Sequence, residues 1–78
     1  MYEERRMKIS IEYCHVWNYY PRAASLAEEI KNQVKEVNIE YIKSSGGVFE
    51  VSKDGKLIFS KRREGRFPDI SEILTKLV

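Results

Sequence analysis

The chain is poor in the residues that most often carry chemistry. Its 78 residues include one cysteine, Cys14, and one histidine, His15. A single thiol excludes an internal disulfide and any all-cysteine metal cage. A metal site needs roughly three or more ligands, and these two neighbours have no other Cys or His to join them, so no metal is expected. Long apolar runs are also missing. None approaches the roughly 20 residues that span a bilayer, so no membrane association is expected. The opening "MYEERRMK" is charged and lacks an apolar core, so no signal peptide is expected there. Neither sign of charge dominates. Fourteen Lys and Arg face twelve Asp and Glu, for a net charge of +2, too mild to argue for nucleic acid. A lone thiol suits a reducing compartment, so a cytoplasmic location is expected. Linkers, repeats and low-complexity segments are absent.

What is present is an ordinary globular balance, 42% hydrophobic and 33% charged. The length allows one domain over 1–78 with a thin core and a stability margin on the order of 3–5 kcal/mol. Residues 1–6 read as a disordered polar tail. In "RMKISIEYC" Met7, Ile9, Ile11 and Tyr13 alternate with Lys8, Ser10 and Glu12, the period of a strand with one buried face. Ala23, Leu26, Ala27, Ile30, Val34 and Val37 then recur at steps of three and four, which predicts an amphipathic helix. Asn18 is the expected N-cap, with Pro21 in the first turn, where its missing N–H costs nothing.

Alternation resumes in "VNIEYIK" through Val37, Ile39, Tyr41 and Lys43. "SSGG" is a turn. "VFEVSKDGKLIFSK" reads as two strands joined at Asp54-Gly55, a strong two-residue hairpin signal. Phe49, Val51, Leu57 and Phe59 are expected to share strand faces in pairs. "KRREGRFP" reads as a basic loop closed by Pro68. "DISEILTKLV" reads as a helix with Asp69 and Glu72 as a capping box and Ile70, Ile73, Leu74, Leu77 and Val78 as one stripe. The order is strand–helix–strand–strand–strand–helix. A strand–crossover–strand unit is normally parallel and right-handed, and the hairpin adds antiparallel strands. The expected fold is α/β (α+β), a four-stranded mixed sheet with two helices. The thioredoxin-like fold has this β-α-β-β-β-α order. Its redox residues lie between the first strand and the first helix, where Cys14 stands.

Several stretches carry a more specific likeness. "IEYC" (11–14), "PRAASLAEEI" (21–30), "SGGVFEVSKDGKLIFSKRREGRFPD" (45–69) and the closing helix together resemble the small thioredoxin-like selenoprotein W, T and H group, the Rdx family. The resemblance covers most of the chain from Lys8 to Leu77. It implies a Cys-x-x-Cys or Cys-x-x-selenocysteine pair after the first strand. Cys14 matches its first member, and the spacing from Cys14 to Pro21-Arg22 agrees with the family's. The second position is Trp17. The resemblance therefore implies the fold and a link to cell redox homeostasis, whereas dithiol exchange does not carry over, because a resolving thiol is missing.

Two functions follow as expectations. In the first, Cys14 is a single redox thiol that forms mixed disulfides with glutathione or protein thiols and awaits an outside thiol. A following helix N-terminus, His15 and Arg22 would favour its thiolate, and a loop position would leave it partly exposed. Otherwise Cys14 is a semi-buried residue at the strand end, left from a lost dithiol site, since free cysteine is commonly buried and inert. In the second, the chain is a non-catalytic binding module that holds a partner through Trp17, Arg22, Ser45, Gly46 and Gly47. Trp17, Tyr19 and Tyr20 surround the thiol and suit a docking platform, or else they pack on the sheet, with Trp17 the most exposed. Ser44–Gly47 occupies the place where thioredoxins have a cis-proline facing the active cysteine. Its glycines permit close backbone approach, or simply a turn of positive φ. Lys61–Arg66 is the densest basic stretch. It suits an acidic partner, glutathione carboxylates or RNA phosphates, or is a solvated turn that discourages edge pairing. Nucleic acid is disfavoured because no aromatics are interleaved with these charges in sequence. Beyond glutathione no cofactor is expected, and the oligomeric state, a homodimer included, is left open.

Overall fold

The computed structural model describes residues 6–77. Strand β1 (Met7–Cys14) leads to helix α1 (Tyr20–Gln33) and strand β2 (Val37–Ser44). Strands β3 (Phe49–Lys53) and β4 (Lys56–Ser60) follow, then a one-turn helix α2 (Lys61–Glu64) and helix α3 (Ile70–Leu77). The sheet order is β2-β1-β3-β4. β1 runs parallel to β2 and antiparallel to β3, and β3 pairs antiparallel with β4. This is the expected mixed sheet.

The alternation of β1 sets the two faces. Ile9, Ile11 and Tyr13 are buried with Phe49, Val51 and Phe59 under Ala23, Leu26, Ala27 and Ile30 of α1 and Ile73 and Leu77 of α3. The opposite face is polar. There Ser10 Oγ donates to Glu40 (3.3 Å), and Ser60 Oγ donates to Glu50 (2.7 Å). Each large apolar side chain buried in this core stabilises by about 1.5–3 kcal/mol. Val37, counted above in the helical stripe, opens β2 instead, and α1 ends with Val34 as its C-cap. The tail expected over 1–6 lies outside the described residues apart from Arg6. Its guanidinium reaches Asn38 Oδ1 (3.3 Å) and Glu36 (3.8 Å). Val78 also lies outside.

Three local expectations are corrected. Asn18 is not the cap of α1. It takes a left-handed φ of 56°, its N–H donates to the His15 carbonyl (3.0 Å), and Tyr19 precedes the helix with no side-chain cap. Asparagine tolerates that conformation better than most side chains, so the turn claims it. Pro21 does fall in the first turn. Leu57 does not share a face with Phe59. Val51 pairs with Phe59 but Ser52 pairs with Leu57, so Ile58 is an extra residue in the ladder. Such a bulge reverses which face the following side chains take, and Leu57 is left exposed. The stretch after β4 is not wholly loop. Ser60 Oγ accepts from Arg63 N–H (3.3 Å), and Gly65 closes the turn in the left-handed region, forming α2.

The hairpin tip is as expected, with Asp54 and Gly55 both at positive φ, the geometry of a type I′ turn. Asp54 also ties the tip to β1: Lys8 N–H donates to its carboxylate (3.0 Å), and its own N–H donates to the Lys8 carbonyl (2.8 Å). At the sheet's β4 edge, Lys76 Nζ of α3 donates to the Ile58 carbonyl (2.8 Å). The outer side of β2 pairs with no strand among the described residues.

Candidate functional site

The end of β1 is held between the neighbouring strands. Cys14 N–H donates to the Val48 carbonyl (2.9 Å), and His15 N–H donates to the Ser44 carbonyl (2.9 Å). The chain then reverses through residues 15–19, and Tyr19 N–H returns to the Cys14 carbonyl (3.0 Å). Inside this loop Trp17 N–H donates to Cys14 Sγ (3.3 Å). The polarity offered to the sulfur therefore comes from a turn amide, while α1 begins only at Tyr20. The thiol itself is fully buried, at 0% exposure, which overturns the partly exposed loop position and agrees with the alternative of a buried strand-end cysteine. Strand pairing runs through Cys14 itself and the returning loop covers it. His15 is exposed, and among the described residues no hydrogen bond joins its imidazole to the sulfur. No group of three or more His, Cys, Asp or Glu is placed to hold a metal ion among the described residues. No described helix is long and apolar enough to cross a membrane.

Trp17 is the exposed element of the turn, at 61%, beside Val16 at 71%. Its ring lies against Gly47. A Cβ built on Gly47 would meet Trp17 Cζ3 at 2.7 Å. Gly47 also has φ +74°, so both readings offered for the glycine pair, close approach and a turn of positive φ, hold at this position. Gly46 stands beside Arg62, whose Nη2 would be 3.9 Å from a Cβ there. Ser45 is exposed in the same turn. The structure thus brings Cys14, Trp17, Gly46 and Gly47 together at one end of the sheet.

Arg22 takes a different position. Its guanidinium lies 4.1 Å from the centroid of the Phe67 ring. Phe67 meets Tyr19 edge-on at 4.8 Å and Phe49 at 5.3 Å, and Tyr19 in turn meets Trp17 at 6.1 Å. Lys61 Nζ sits 5.5 Å from the Tyr19 ring and 5.4 Å from that of Phe67. A groove of about 490 Å³ opens beside Arg22 and Phe67, between α1 and the α2–α3 connection, with Leu26, Phe49, Pro68 and Ile70 among its walls. Cations and rings that are separate in the sequence are therefore interleaved in space. Tyr20 belongs elsewhere, packed at 5.6 Å from Tyr13 and 5.5 Å from Tyr41.

Sequence reasoning missed Lys61, Arg62 and Phe67 as members of this surface. Only the density of charge at 61–66 hinted at it, since nothing local says that α2 folds back toward residues 15–19. Arg66 is instead paired with Glu72, and its Nη1 also donates to the Phe67 carbonyl (3.1 Å). The pair is bidentate, at 2.6 and 3.1 Å, and Asp69 N–H also donates to Glu72 (2.9 Å). The guanidinium bond first, and that N–H second, hold the Glu72 carboxyl down at about 2.

Known proteins share this fold. A selenoprotein W-related protein from Vibrio cholerae superposes with a TM-score of 0.87 at 27% identity, covering 92% of each chain. A protein from Bordetella parapertussis has the same fold, with a TM-score of 0.86 at 23% identity over 94% of this chain and 95% of that one. Migration and invasion enhancer 1 from Bos taurus is 34% identical over 62 residues, 80% of this chain and 54% of that protein. The Mus musculus protein of that name is 33% identical over 60 residues, 77% of this chain and 52% of its own length. The chain spans about half the length of these two relatives. The Rdx family profile matches residues 8–78, and with its selenoprotein W-related, thioredoxin-like fold the chain belongs to the Rdx family.

Proposed function

We propose that this chain is a thioredoxin-like binding module in which the Cys14–Trp17 turn is the docking element. Trp17, Ser45, Gly46, Gly47 and Arg22 make the contact surface. The observation that carries the reading is the division of labour in the turn: the thiol is fully buried and the indole is exposed. A buried thiol is slow to react, whereas an exposed Trp is a common anchor of interfaces. In this reading Cys14 is structural, accepting the Trp17 N–H and fixing the turn. The partner is a protein, and the chain works without a cofactor in the cytoplasm.

A second reading, a single-thiol role in redox homeostasis, is favoured by the same N–H···Sγ contact, since a donor aimed at sulfur stabilises thiolate. In that case the Cys14 thiolate attacks glutathione disulfide, the new S–S bond forms at Cys14, and one glutathione thiolate leaves. An outside thiol must then reverse the step.

The test uses two variants and one chemical measurement. Trp17→Ala is expected to lose the proteins that wild type retains in a pull-down, while Cys14→Ser keeps them. Retention of the same proteins by Trp17→Ala overturns the docking surface. Alkylation of native Cys14 is expected to be about a hundredfold or more slower than in the unfolded chain, because reaction requires opening of the loop. Rapid glutathionylation of the native protein, with a thiol titrating clearly below the ordinary ~8.5, would select the redox reading instead.

A further inference from the structure

We infer that the partner segment held at this surface is an acidic peptide carrying an apolar side chain next to its carboxylates. This rests on the binding reading above and names the chemistry of the ligand. Arg62 borders the Gly46–Gly47 turn, Lys61 lies over the Tyr19 and Phe67 rings, and Arg22 lies over Phe67. Elsewhere Lys8 is paired with Glu40 (3.3 Å) and Arg66 with Glu72. Arg22, Lys61 and Arg62 have no carboxylate within ion-pairing distance among the described residues, as is true of other surface cations such as Lys35 and Lys56; what distinguishes these three is that they gather around the rings and the turn at the Trp17 end. A cation resting on a ring face is already oriented, so less freedom is lost when it meets a carboxylate.

The apolar half of the ligand has two places to go. Trp17 offers one largely exposed indole, and the groove beside Arg22 offers walls of Leu26, Phe49, Phe67, Pro68 and Ile70. Two acidic groups lie nearby. Glu29 lines the groove together with Arg22, and Glu64 is the last residue of α2. Carboxylates of the ligand therefore belong on the Arg22–Lys61–Arg62 side. A single-stranded nucleic acid fits less well, because it needs successive free ring faces. Here Tyr19 and Phe67 are half-buried and spent on each other, on Phe49 and on the cations, which leaves Trp17 alone.

Trp17 is the only tryptophan in the chain, so its emission reports on the surface directly. The experiment titrates the full chain with three short peptides of matched length, alternating Leu with Glu, with Gln or with Lys, and with a single-stranded oligonucleotide. The expected result is a saturable shift of Trp17 emission by the Glu peptide, at concentrations where the Lys peptide has no effect. Its affinity falls as salt rises. It falls about tenfold when Lys61→Gln and Arg62→Gln are combined, as two partly exposed ion pairs allow. A Lys35→Gln variant, which changes net charge away from the surface, binds like wild type. The assignment is overturned if the oligonucleotide binds more tightly than the Glu peptide, or if the double variant binds the Glu peptide as wild type does. It is overturned too if the Gln peptide binds equally well, and then the binding reading stands and only the acidic ligand is lost. If no peptide moves the emission of Trp17, the binding reading fails with it.

Discussion

Gly47 carries two constraints at once. Its φ of +74° costs any L side chain about 1–2 kcal/mol, and the space where its Cβ would stand is filled by the Trp17 ring. Gly47→Ala is therefore expected to lower stability by at least about 1–2 kcal/mol, and to displace the indole. A urea titration would read the first effect, and the emission wavelength of Trp17 the second. Unchanged emission would mean that the ring does not rest on this turn. The pairing of Trp17 with Gly47 was only partly legible in the sequence. Both residues stood out, each for its own reason, but nothing local says that an indole and a glycine thirty positions apart meet face to face. The burial of Cys14 was legible only as one of two readings, for a related cause. Position between a strand and a helix suggested an open loop, whereas ladder bonds continue through the residue itself.

Helix α3 shows how an element end can set a pH response. Glu72 accepts from Arg66 and from the Asp69 N–H, and its carboxyl is held at about 2 against an ordinary 4.5. Because the folded value is the lower one, this contribution to stability is fully present above about pH 4.5 and is lost as pH falls toward 2. Thermal melts of wild type and Glu72→Gln are expected to differ by a constant amount from neutral pH down to about 5. The difference then narrows through the acid range. A gap independent of pH down to 2 would show that the charge of Glu72 contributes nothing. One leg of the capping box, the Asp69 N–H donating to Glu72, was readable because the two residues lie three apart. The hairpin was readable for the same reason, since Asp54-Gly55 dictates its own turn. The bulge at Ile58 was not. A slip of register is decided by what packs on both faces of the sheet, and Leu57 looked like any other alternating strand residue.

For the molecule as a whole, the core is thin. Ile73 is fully buried between α1 and the sheet, and truncation of such a side chain costs about 2–5 kcal/mol. A domain of this size has on the order of 3–5 kcal/mol to lose. Ile73→Ala is expected to leave much of the chain unfolded at 37 °C, measurable as lost ellipticity, whereas exposed Leu57→Ala changes stability by less than about 0.5 kcal/mol. The fold order and most of the core were legible because periods of two and of three to four are written along the chain. The surface on which Arg22, Lys61 and Arg62 gather was not, since it is made by three elements that meet only after folding. The two sides of the sheet also differ in a way that bears on crowding. A carbonyl of β4 is occupied by Lys76, while the outer side of β2 pairs with no strand among the described residues. Head-to-tail growth, in which one copy's β2 adds to the next copy's β4, is obstructed at one end. The Lys76 ammonium stands where an incoming strand would have to donate to Ile58, so a cation held by α3 guards the β4 edge against strand addition.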